Sequence, residues 1–278
     1  MKNKIIIPDE WLGEKIEGAM ERVLSREKTD VRQEENVPSG IESSADYWVI
    51  SGVNYRGKTC RVGLLKQLLD NGNTKTQDGW AAHYESARQN NQFYTPDYPL
   101  LYGIGKALYS QKDDAAHARE VEEARAFLKD SARAKWLMTL TRIVYQPTAS
   151  DTIVHNYGTR DSYETQTDFV DRDEWITDTR TPDVYKALLQ TNDSVQEINT
   201  VVQWLTGVPA YMYRLNNRPQ SLDERVARFN ANSDRANLNC NRNADNRNAS
   251  LGITFPSRAS SSMKTAMIWI PNTSGVLS

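Results

Sequence analysis

Apolar residues recur at helical spacing near the start of the chain. Trp11, Ile16, Met20, Val23 and Leu24 predict a helix over about residues 9–28. Residues 29–46 are polar, carry Pro38 and Gly40, and read as a linker. The aromatic and β-branched run YWVIS (47–51) predicts a strand. Short helices are expected over 61–72, stopping at Asn71-Gly72, and over 79–91. Two prolines break the pattern at 93–99, and LLYGIGKALYS (100–110) then reads as an apolar helix despite its two glycines. The strongest helical signal spans 112–140. Ala115, Ala118, Val121, Ala124, Phe127 and Leu128 fall near one stripe, and the charges, Glu122 and Glu123 among them, read as a solvated face.

The texture changes near residue 140. LTRIVYQ (140–146), TIVHNYG (152–158) and YETQTDFV (163–170) alternate as strands do, with turn residues between them. Two helices follow, one over about 182–190 with Pro182 at its first position, the other over about 194–206. The second has Ser194 as N-cap, Glu197 completing a capping box and Gly207 just past its end. AYMYRLN (210–216), ERVARFNA (224–231), an Asn-rich run and TAMIWIP (265–271) are the remaining strand candidates. The chain thus divides into an N-terminal helix and linker (1–45), a mostly helical part (46–139) and an α+β part (140–278).

Composition narrows the function classes. At 278 residues, 38% hydrophobic and 25% charged, the chain can build a sizeable core without disulfides or metals. A net charge of −2 supplies no global basic field, so nucleic acid is not an expected partner. The three aliphatic residues before Pro8 are too few for a signal peptide, and no segment has the length of a membrane span. A soluble chain without membrane insertion is expected. Cys60 and Cys240 are too few for a cysteine-rich metal site, and nothing in their spacing argues for a disulfide. His83, His117 and His155 lie far apart and suit packing or surface roles better than ligation, so no metal or cofactor is expected.

GVNYRGKT (52–59) matches the spacing of a phosphate-binding loop through Gly52, Gly57, Lys58 and Thr59. Against it stand the bulky interior (Asn54, Tyr55, Arg56), the lack of a later apolar strand ending in Asp, and the missing β-α alternation. Nucleotide binding therefore stays an alternative, as does a purely structural role. No G-x-S-x-G occurs, and the acidic clusters at Asp171, Asp173 and Glu174 and at Asp223 and Glu224 read as loop and turn residues. No enzymatic activity is expected.

The most unusual stretch is ANLNCNRNADNRNAS (236–250). If it is extended, Asn237, Asn239, Asn241 and Asn243 share one face and Leu238 and Cys240 the other. ADNR (244–247) would turn the chain, with Asn246 and Asn248 at or just after the turn, and Leu251 and Ile253 would return to the core. Short amides both donate and accept hydrogen bonds and offer no acid, base or nucleophile, which suits recognition. An outward amide face also implies that replacing these four residues together leaves stability nearly unchanged.

RFNANSDRANLNCNRNADNRNASLGI (228–253) resembles the variable region of the target proteins of diversity-generating retroelements, and ASLGI resembles its closing strand. IVHNYG, EINTVVQWLTG, YMYRLNNRP and the segment NTKTQDGW through GIGKAL are similar to the archaeal and bacterial branch of that group, which includes an archaeal virus protein. The resemblance covers most of the chain after about residue 45 and leaves about 25 residues after Ile253 unmatched. It implies a C-type-lectin-like domain with a mixed, mainly antiparallel sheet and two helices, preceded by a largely helical region. It also implies adenine-directed substitution at Asn codons. The variable, ligand-binding positions would be Asn230, Asn232, Ser233, Arg235, Asn237, Asn239, Asn241, Asn243, Asn246 and Asn248, with Phe229, Leu238, Cys240, Leu251 and Gly252 as scaffold. The implied partner is a protein or cell-surface ligand, met on a virion or surface to which another component carries the chain. The related sulfatase-activating enzymes need reactive cysteines near the C-terminal end, where this chain has only Cys240.

Overall fold

The computed structural model describes residues 39–90 and 92–256, together with Glu10–Trp11 and Glu14–Lys15. The chain divides into two units, Met1–Val37 and Pro38–Ser278. In the first, Glu10–Trp11 pairs antiparallel with Glu14–Lys15 as a small ribbon, where the sequence predicts helix. The remainder of the helix expected over 9–28, and the strand expected at 265–271, lie outside the described residues.

The second unit has an α+β architecture. It begins with strands β1 (Ile41–Ser43), β2 (Tyr47–Tyr55) and β3 (Lys58–Leu65), followed by helices α1 (Gln77–Gln89), α2 (Tyr98–Ser110) and α3 (Ala118–Ala134). Strands β4 (Leu137–Tyr145), β5 (Asp151–His155), β6 (Tyr163–Thr167) and β7 (Glu174–Trp175) come next, then helices α4 (Pro182–Leu189) and α5 (Val195–Thr206). Strands β8 (Ala210–Tyr213), β9 (Asp223–Ala231), β10 (Ala236–Asn243) and β11 (Ile253–Thr254) close the order. A seven-stranded sheet runs β6-β5-β4-β9-β10-β8-β7, antiparallel except for the parallel β8–β10 pair. A four-stranded antiparallel sheet runs β11-β3-β2-β1. No helix among the described residues is long and apolar enough to cross a membrane.

Local signals fix several elements. Ser194 and Glu197 form both bonds of the capping box on α5, and Gly207 takes the left-handed conformation that ends it. Pro182 opens α4. Asp97 caps α2 by accepting from the Leu100 N–H. Gly103 is required within α2 because a Cβ there would lie 2.7 Å from the Asn54 carbonyl oxygen of β2.

Three expectations change. Residues 58–65 are a strand paired with β2, not part of a helix over 61–72, and only Leu69–Gly72 forms a short 3-10 turn. Val62 and Leu64 enter the core on alternate positions. The phosphate-loop match is consequently a β-hairpin: Arg56 and Gly57, both at positive φ, are the two-residue turn between Tyr55 and Lys58. No helix N-terminus follows Gly57 to hold a phosphate, so the strand-loop-helix setting that the motif needs is absent. The helical signal over 112–140 is realised only as α3, after which Leu137 enters the central sheet. The part expected to be mostly helical thus begins as a sheet, and β11 pairs with β3, so residues 46–139 and 140–256 interlock through a shared sheet.

Candidate functional site

Ala236–Asn243 of the Asn run forms β10, an interior strand of the larger sheet between β9 and β8. Its two faces differ in kind. On one, Met212, Leu238 and Phe229 form a row across β8, β10 and β9, and they belong to the apolar core with Tyr98, Leu101, Val201 and Leu205. Cys240 is on this side, fully buried, and burial pushes its thiol well above the ordinary range, so it is inert where it stands. Two tyrosine hydroxyls anchor the strand pair: Tyr145 donates to the Cys240 carbonyl at 2.9 Å and Tyr98 to the Arg228 carbonyl at 3.0 Å. The expected scaffold residues Phe229, Leu238, Cys240, Leu251 and Gly252 are all buried.

The other face carries the asparagines in rows set by strand register. The first row is Trp175, Tyr211, Asn237 and Asn230. The second is Tyr213, Asn239 and Arg228; beyond it the β9–β10 register is broken by an irregularity, past which Asn243 pairs with Arg225. Asn237 donates to Asn230 at 2.9 Å, and Asn230 donates to Asn232 at 3.2 Å, so a chain of amides runs from the interior to the surface. Arg235 lies over the Tyr211 and Trp175 rings and pairs with Asp234 at 2.6 Å. Asn248 is held through its backbone, which exchanges hydrogen bonds with Lys75, while its Oδ1 accepts from Arg228 at 3.0 Å. Asn246 sits in the expected turn and donates to the Asn243 carbonyl at 3.0 Å.

Burial overturns the expectation of one outward amide face. Asn237 and Asn239 are 1% and 0% exposed, and Asn230 and Asn248 are buried as well. The cause is position: β10 is an interior strand, and flanking Tyr211, Tyr213 and Arg228 are large enough to cover short amides. Replacing Asn237, Asn239, Asn241 and Asn243 together is therefore not expected to be neutral for stability. The reachable positions are Asn232, Ser233, Asn243 and Asn246, which are exposed, and Arg235 and Asn241, which are half-buried.

Hydrogen-bonding capacity is left over at this face. Ten buried side-chain polar atoms find no partner among the described residues, and six of them belong to Asn237, Asn239, Asn241, Asn248 and Arg228. Such atoms cost stability unless something else uses them. Two of these residues, Arg228 and Asn241, line a cavity of about 390 Å³ together with Trp136, Arg225, Arg242, Asn243 and Asn246.

Arg225, Arg228, Arg242, Trp136, Trp175, Tyr211 and Tyr213 also belong to this face or its cavity and are not among the expected site residues. The alternation in AYMY, with Met212 inward, carried a signal for the two tyrosines. Trp136 lies between a helix and a strand, where no period points to it. Cys60 and Cys240 are both free, and among the described residues no group of three or more metal-ligating side chains forms.

Comparison with protein-family models, curated proteins and solved structures finds no match to this chain.

Proposed function

We propose that the chain is a non-enzymatic ligand-binding protein of the diversity-generating retroelement type. In this reading a C-type-lectin-like scaffold carries a variable region over about 228–253. The observation that carries the reading is the concentration of unpartnered amide and guanidinium atoms on and beside β9 and β10, near exposed asparagines and an open cavity. Groups that the fold leaves unused are groups that a ligand can use. The apolar back of the same strands and its two tyrosine anchors keep the backbone fixed while surface side chains change.

Two tiers of variable position follow. Substitution at Asn232, Ser233, Arg235, Asn241, Asn243 and Asn246 alters contacts at the surface. Substitution at Asn230, Asn237, Asn239 and Asn248 reshapes the floor and couples to stability. The partner in this reading is a protein or cell-surface ligand, and the chain is presented by a virion or surface component.

The test is genomic. The reading expects a near-copy of the DNA encoding residues 228–253 beside a reverse transcriptase gene, differing from the coding copy mainly at adenines. A complete genome without such a copy removes the retroelement part of the proposal.

A further inference from the structure

The cavity at the lower end of the Asn face has a chemical bias that the amides alone would not give it. Three arginines line it, Arg225, Arg228 and Arg242, and no acidic residue does. Arg225 is paired, with Asp223 at 2.6 Å. Arg228 and Arg242 form no salt bridge among the described residues. Arg228 is 5% exposed and lies over the Trp136 ring at 4.6 Å; its Nη1 donates to Asn248 and its Nε finds no acceptor. Burial and the neighbouring Arg242 pull its guanidinium down to about 10, still charged at neutral pH. A buried cation without a counter-ion, facing a second one, is costly in the fold by itself.

We infer that this cavity is an oxyanion subsite that takes a phosphate or sulfate group borne by the ligand. Two guanidiniums without carboxylate partners favour a dianion over a single carboxylate, and planar N–H forks match its oxygens. Asn241, Asn243 and Asn246 bring amides to the same rim. The cavity is larger than the anion, which leaves room for the group bearing it against Trp136. This assignment rests on the ligand-binding reading for its purpose but stands on its own residues.

The experiment is isothermal titration of the full chain with inorganic phosphate and with inorganic sulfate, against sodium chloride at matched ionic strength. Saturable binding of the divalent oxyanions, absent with chloride, is expected. Arg242→Gln, at an exposed position, should weaken it about ten-fold, the effect of losing one charge-assisted bond. Arg228→Gln, checked for an intact thermal transition, should weaken it at least as much. Arg247→Gln, exposed and outside the cavity, should leave it unchanged. Binding that survives both cavity variants, or falls equally with Arg247→Gln, overturns the assignment. So does the absence of saturable binding, and that result leaves the ligand-binding reading standing, because its test is the genomic copy.

Discussion

Arg214, just past β8, and Arg228, on β9, are both buried, yet their surroundings are opposite. Arg214 donates through Nε to the Arg172 carbonyl at 3.0 Å, through Nη1 to Thr181 at 3.2 Å, and through Nη2 to Glu174 at 2.8 Å. Arg142 is similar, with Gln77, Glu224 and Asp78 on its three nitrogens. Arg228 has one amide partner and an aromatic ring. The first two hold the fold together. The third is placed with capacity to spare, in the patch where the asparagines are also underused. The difference separates groups that the fold consumes from groups that it presents.

The largest effect should come from the consumed set. Arg214→Met strips the counter-ion from Glu174, itself 5% exposed and left with only the Thr179 hydroxyl, and should cost about 3–5 kcal/mol in urea unfolding. A loss under about 1 kcal/mol would erase the contrast.

His155 belongs to the same satisfied class. Its Nδ1 lies 3.1 Å from the Thr141 hydroxyl and its Nε2 3.3 Å from the Ala187 carbonyl, and burial lowers its pKa to about 4. The unfolded chain then takes up the proton first, so stability from this group is present above about 6.5 and lost as pH falls toward about 4. The loss should approach roughly 3 kcal/mol. Asp97, raised to about 6 by burial, works in the opposite direction, since the folded state favours its protonated form as pH falls. The difference between wild type and His155→Gln isolates the histidine: the variant's stability should fall less from pH 6.5 to pH 4 than the parent's. Parallel pH profiles would contradict this.

The presented set should behave differently. Asn239→Val removes two amide atoms without partners and suits a strand, so it should raise stability by about 1 kcal/mol. Arg228→Met should change stability by no more than about 1 kcal/mol in either direction, because relief of a poorly paired cation offsets the partner lost by Asn248. A penalty comparable to that of Arg214→Met would reclassify Arg228 as structural. Single Ala substitutions at Asn232, Asn243 and Asn246 should stay within about 0.5 kcal/mol in thermal unfolding.

What could be read from the sequence was what short-range chemistry decides. The Ser194–Gly207 helix was legible because its caps are written next to it. The extended form and two-faced character of 236–243 were legible from alternation, as were the buried Leu238 and Cys240. The 61–72 segment is not legible because its leucines fit a helix locally, while the hairpin turn at Arg56-Gly57 commits Lys58–Leu65 to a strand. The burial of Asn237 and Asn239 was not legible, because it depends on Tyr211, Tyr213 and Arg228 arriving from other strands. Arg228 meets Trp136 only through the pairing of β9 with β4, a contact 92 residues apart in sequence.

If the reachable positions of this face set recognition without setting the fold, they should tolerate change together. A surface-displayed library with Asn232, Ser233, Arg235, Asn241, Asn243 and Asn246 randomised, sorted first for folding and then against immobilised protein targets, tests it most directly. Most members should stay folded, and the folded pool should yield target-specific binders that the parent chain does not match. A library that mostly unfolds, or a folded pool that binds nothing, would contradict it.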